Sequence, residues 1–152
     1  MSDPFLFDST TPRFGLPLLF AGQSQKEAFV NEAHALADAL LHCAIEGRSP
    51  SPPGSPADGE NWLVTPLADG AWSGREACIA CRQAGGWLFV EPRDGLRLLD
   101  RSTGQEWRYF GEWRAAEIPA EPLGGLVVDA EARAAIQDII AALKLAGILP
   151  DT

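Results

Sequence analysis

The chain has 152 residues, 46% hydrophobic and 22% charged, with a formal net charge of −9. That balance predicts one folded soluble domain with a modest core and excludes a disordered chain. It also argues against nucleic acid or anionic lipid as a main partner, because an acidic chain repels phosphate.

The charge is uneven: −4 over residues 1–47, −1 over 48–114 and −4 over 115–152. All eight basic residues of the middle section are Arg, which suits pairing with carboxylates or polar ligands. The longest apolar run, Phe14 to Ala21, is broken by Gly15 and Pro17 and is too short to cross a bilayer. Met1-Ser2-Asp3-Pro4 lacks the basic start of a signal peptide. Three Cys cannot all pair within the chain, which points to a reducing cytoplasm as the place of synthesis.

Residues 1–47 read as an N-terminal arm and helix. Pro4, Pro12 and Pro17 favour extended backbone, and Phe5, Phe7, Phe14 and Leu18–Phe20 are apolar anchors. An arm this apolar should lie on its own domain or on a neighbouring subunit. Ser24-Gln25-Lys26-Glu27 has the capping-box form, and a helix is predicted to run to about Glu46 with Gly47 as its stop. Phe29, Ala33, Leu36, Leu40 and Cys43, widened by Ala37, Leu41 and Ala44, predict a broad buried face.

Residues 48–58 form a Pro-rich linker. Residues 59–115 read as a small antiparallel β domain. Its strands are Trp62–Thr65, Ala77–Arg82, Trp87–Glu91, Leu96–Leu99 and Glu106–Phe110, with Glu112–Ala115 as a sixth. Ala84-Gly85-Gly86 marks a hairpin. Residues 116–152 supply a loop, Pro119 to Gly125, and a C-terminal helix. Asp129 is its N-cap, and Gly147, Ile148 and Pro150 give a Schellman-type stop. Ala132, Ile136, Ile139, Leu143 and Ala146 space as four, three, four and three. Ile at both a- and d-like positions favours three or more strands, although packing on the chain's own sheet fits the pattern as well. The fold class is α+β.

The chemistry-bearing residues select no active site. His34, Asp38 and His42 share a helical face, but ligands spread over two turns do not converge on one metal ion; a polar stripe is the better reading. Cys78-Ile79-Ala80-Cys81 has C-x-x-C spacing without a second pair and in strand context, where a redox pair is not expected. No nucleophile elbow or phosphate loop is present. Glu91, Asp94, Asp100, Glu106 and Glu112 could supply a glycosidase pair, but the spacing selects no two of them. No metal, cofactor or catalytic residue is assigned. Of five Trp, most are expected in the core; Trp72, Trp107 and Trp113 are candidates for contact with a sugar ring.

Arg13-Phe14-Gly15-Leu16-Pro17-Leu18-Leu19, Ala21-Gly22-Gln23, Gln25-Lys26-Glu27, Asn31-Glu32-Ala33 and Asp38-Ala39-Leu40-Leu41-His42 form a first distinctive block. Pro56-Ala57-Asp58-Gly59, Gly70-Ala71-Trp72-Ser73-Gly74 and Gly85-Gly86-Trp87-Leu88-Phe89 form a second, and Val128 to Ile136 with Gly147-Ile148 a third. Together they resemble an uncharacterised domain family of alphaproteobacterial prophages and gene transfer agents, where it accompanies virion fibre, spike or tail components. His34 and Ala37 depart from that pattern, where Leu is expected.

The resemblance implies a non-enzymatic structural or attachment component of a particle, made in the cytoplasm and assembled into the virion. Its expected partners are other virion proteins and, from the four-three spacing of the two helices and the apolar arm, itself as a homo-oligomer, a trimer. The assembly residues are Phe14, Leu16, Leu18, Leu19, Gln23, Gln25, Lys26, Glu27, Asn31 and Glu32 of the first block, with Ile136, Ile139 and Leu143 of the last helix. The alternative is a carbohydrate-binding module for host surface polysaccharide; a glycan depolymerase is a third reading.

Overall fold

A computed structural model of the protein describes residues 10–19, 22, 27–120 and 129–151. The chain divides into two compact units, Met1–Pro92 and Arg93–Thr152. The fold is α+β, with two helices and two antiparallel-rich sheets.

The first unit contains α1 (Glu27–Leu40), β1 (Ala44–Ile45), β2 (Gly47–Ser49), β3 (Asn61–Val64), a 3-10 turn (Gly70–Trp72), β4 (Ile79–Gln83) and β5 (Gly86–Val90). The sheet order is β2-β3-β4-β5. β3, β4 and β5 are antiparallel neighbours, whereas β2 runs parallel to β3, with Gly47 opposite Trp62. The Pro-rich stretch makes that parallel return possible, because parallel neighbours need a crossover rather than a tight turn. The hairpin joining β4 to β5 turns at Ala84 and Gly85, with φ of 48° and 75°. Two successive positive φ values are the type I′ geometry that matches strand twist, as the glycines at 85 and 86 predict.

The core of this unit lies on the face of the sheet carrying Val64 and Ala80, closed by Trp72. The 3-10 turn delivers the Trp72 ring edge-on to Trp87, centroids 5.1 Å apart at 82°, a favoured arrangement of ring quadrupoles. Trp62, Ala68, Trp87 and Phe89 pack around it. Arg82 lies over the Trp87 ring and Arg75 over Phe89, so two cations cover the rim of the aromatic cluster. The opposite face of the sheet buries Leu63, Ile79 and Cys81.

Two expectations for the N-terminal region are corrected. Residues 10–19 do not extend: Thr10 bridges Pro17, Gly15 N–H donates to Thr11 O, and Gly15 takes φ of 64°. A glycine supplies that left-handed turn at no steric cost, and the segment closes into a short loop. The helix also stops at Leu40, six residues before Glu46, and Gly47 is a buried strand residue instead of a stop. His42 turns left-handed at φ 46°, β1 occupies the end of the stretch expected to be helical, and β2 occupies the expected stop and the start of the expected linker. Ser24 of the predicted capping box lies outside the described residues, as do Gln23, Gln25 and Lys26.

The second unit contains β6 (Arg97–Asp100), β7 (Gln105–Phe110), β8 (Glu112–Arg114) and α2 (Ala130–Leu145). The three strands lie in that order, antiparallel. α2 begins as its sequence predicts, with Asp129 Oδ1 accepting from Ala132 N–H at 2.9 Å. It ends in a complete Schellman motif: Ile148 N–H donates to Leu143 O and Gly147 N–H to Lys144 O, with Gly147 at φ 70°. The buried apolar residue beyond the stop is Leu149 rather than Ile148. The strand position of all six predicted β segments is reproduced within two residues, but they belong to two sheets, not one meander.

Candidate functional site

Two places gather polar side chains: the seat of the 10–19 loop on α1, and a groove beside β7. The seat is built around Asp38, which is 2% exposed. Its Oδ1 accepts from Thr11 Oγ1 at 2.7 Å and from Phe14 N–H at 2.7 Å, and its Oδ2 accepts from Arg13 N–H at 3.0 Å. A buried carboxylate is tolerated when its lone pairs are filled in this way. The Arg13 guanidinium reaches past it, donating to the carbonyls of Asp38, Ala39 and His42. The carbonyls of Asp38 and Ala39 are orphaned at the end of α1, so Arg13 caps the helix from outside and marks where it stops.

Further along α1, Asn31 exchanges two hydrogen bonds with the Leu19 backbone and His34 Nδ1 bonds Pro17 O at 2.9 Å. Glu27 accepts from Gly22 N–H. The His34–Asp38–His42 stripe is therefore the seat of this loop, and among the described residues no cluster of His, Cys, Asp and Glu could hold a metal ion. This arrangement overturns the predicted buried stripe. Ala35, Asp38 and Ala39 are the buried positions of α1, whereas Phe29 is 79% exposed and Leu40 and Leu41 are exposed too. The two alanines let the loop approach closely, and the polar contacts select which side of the helix faces it. Phe14 is exposed, Leu16, Leu18 and Leu19 are half-buried, and Glu32 is exposed.

The three cysteines are buried and unbridged. Burial pushes the Cys43 thiol up to about 11 against the pull of Arg13's charge, and the Cys81 thiol to about 12, with Cys43 nearby adding to it. Burial, with Glu91 adding, also raises Cys78. Thiols so raised are poor nucleophiles and poor ligands; they pack as small apolar groups.

In the second unit an open groove of about 480 Å³ is lined by Arg97, Glu106, Trp107, Arg108 and Arg114, with Ala115, Ala116 and Ile148. One end is anchored by Gln105, 4% exposed, whose Nε2 donates to the carbonyls of Ala116 and Ile148. Of the three Trp considered for sugar contact, Trp107 lines this groove. Trp113 packs edge-on against Tyr109 at 5.4 Å. Trp72 is corrected: it is fully buried and has no face open to a ligand. Of the acids weighed for glycoside chemistry, Glu106 lines the groove, Asp94 accepts from Gly111 N–H, and Asp100 is buried and accepts from Ser102. The register that brings three arginines to one groove depends on strand pairing, which residue spacing along the chain does not reveal.

Among the described residues no helix is long and apolar enough to cross a membrane. No curated protein matches the chain. Residues 30–114, more than half of the chain, match the model of a family described as "Protein of unknown function (DUF2793)", and the chain belongs to that family.

Proposed function

We propose that the protein is a non-enzymatic, self-associating structural component of a phage or gene transfer agent particle, serving as a fibre, spike or tail-associated part. The particle context is drawn from the resemblance of the three sequence blocks. The observation that carries self-association is the surface of α2. None of its residues is buried, Ile136 is 44% exposed and Ile139 59%. These residues continue through Leu143 at heptad spacing, which is the form of a seam that copies of one helix bury together. Packing of this helix on its own sheet, the other sequence reading, finds no support in that exposure. The polar contacts of the 10–19 loop are made within the chain, which supports placing the self-association seam on α2.

Light scattering after size exclusion tests this. A trimer at micromolar concentration is expected, with Ile139→Asp returning it to monomer while the circular dichroism of the fold is kept. A wild-type monomer at that concentration removes the proposal. Mass spectrometry of purified particles tests the second part, because a virion component must be recovered in them.

Host surface polysaccharide is the second reading, favoured by the groove that sets Ala115, Ala116 and Ile148 next to hydrogen-bonding side chains. A sugar ring needs that mixture of apolar and polar surface.

A further inference from the structure

β7 lies between β6 and β8, and the pairing register aligns Arg97 of β6 opposite Arg108 of β7 and Arg108 opposite Arg114 of β8. Three guanidinium groups thus stand side by side across the sheet, on strands spaced about 4.8 Å apart. All three residues are exposed. Like charges placed directly across a strand pair destabilise it, so sheet stability does not account for the row, and the chain as a whole is strongly acidic.

Local carboxylates cover only the two ends of the row. Glu112 accepts from Arg114 Nε at 3.2 Å, and Glu106 lies 3.9 Å from Arg97, both pairs well exposed to water. Among the described residues Arg108, the centre, has no carboxylate partner. The row therefore keeps one uncompensated positive charge with a planar fork, the geometry that binds a carboxylate in two parallel hydrogen bonds.

We propose that this groove binds an acidic saccharide, one whose sugars carry carboxylates, with Arg108 as the principal contact and Arg97 and Arg114 flanking it. The site's other groups decide for a sugar acid over a bare polyanion. Glu106 and Glu112 accept hydrogen bonds, which sugar hydroxyls donate, and the same two charges repel a dense phosphate chain. Ala115, Ala116 and Ile148 supply apolar surface for the ring carbons. The volume lies in the range of small-ligand clefts. The inference gives the polysaccharide reading its ligand class and rests on that reading, but it does not depend on self-association.

The test is calorimetric titration of the full chain, at low salt, with a short oligogalacturonate. The comparison ligands are an uncharged maltooligosaccharide of equal length, inorganic tripolyphosphate and oligo(dT). Binding of the oligogalacturonate alone is expected. Arg108→Gln should weaken it by about tenfold, the scale of one charge-assisted contact, and Arg114→Gln should weaken it less. Arg93→Gln, an exposed arginine away from the groove, should leave it unchanged. Thermal melts of each variant report that the fold is retained.

Equal binding of the maltooligosaccharide overturns the acidic-ligand inference while leaving the polysaccharide reading standing. Equal or tighter binding of tripolyphosphate or oligo(dT) overturns the saccharide class. Binding of none of the ligands overturns both, and so does an Arg108→Gln protein with unchanged affinity overturn the assignment of the site.

Discussion

Asp38 shows how one side chain sets the local structure of a whole segment. It is buried, yet three donors from residues 11–14 fill its carboxylate. Asp38→Ala would leave Thr11 Oγ1 and two backbone N–H groups without an acceptor, at about 1–3 kcal/mol each if they stayed buried. Release of the loop into water is the cheaper response. The expected result is thus a loss of amide-exchange protection at Arg13 and Phe14, with a total cost of about 2–3 kcal/mol. Hydrogen exchange by mass spectrometry checks it; unchanged protection at those amides would contradict the role given to Asp38. Arg13→Gln should fray the last turn of α1 through the same measurement, because two terminal carbonyls and that of His42 beyond them lose their donor.

At the scale of elements, each sheet depends on one residue delivered from outside its strands. Trp72 reaches the core from the 3-10 turn and is completely buried. Trp72→Ala should cost about 3–5 kcal/mol, the usual range for emptying a large core site, read from chemical denaturation. The stop of α2 depends on Gly147, whose φ is 70° and whose missing Cβ would sit 3.3 Å from Gly104 O. Gly147→Ala adds left-handed strain of about 1–2 kcal/mol and crowds that carbonyl, so it should lower the melting temperature. Glu106 N–H also donates to Gly147 O, which couples the helix stop to the first residues of β7. A melting temperature equal to that of wild type would show that the motif holds without its glycine.

For the molecule as a whole, the buried thiols link stability to pH. The folded values of Cys43 and Cys81 lie near 11 and 12 against an ordinary 9.0. The folded state therefore holds those protons where the unfolded chain has released them. Their contribution is complete below pH 9 and is lost as the pH rises through 11 to 12. Alkaline titration followed by circular dichroism should show stability falling over that window, and Cys81→Val should flatten the fall. All three cysteines should resist alkylation at neutral pH until denaturant is added.

The sequence by itself determined the α+β class, the six strand positions of residues 59–115, the Ala84–Gly85 turn and both ends of α2. These features rest on chemistry within a few residues of the chain, such as a capping carboxylate, an alternation or a glycine with positive φ. Only the tertiary structure decided where α1 ends and which face it buries. Arg13 lies twenty-five residues before the carbonyl of Asp38 that it caps, and no local pattern carries such a contact. The parallel pairing of β2 with β3 and the alignment of Arg97, Arg108 and Arg114 were decided in the same way. Register is a relation between strands, fixed by what they bury against each other, and it is invisible until the chain has folded.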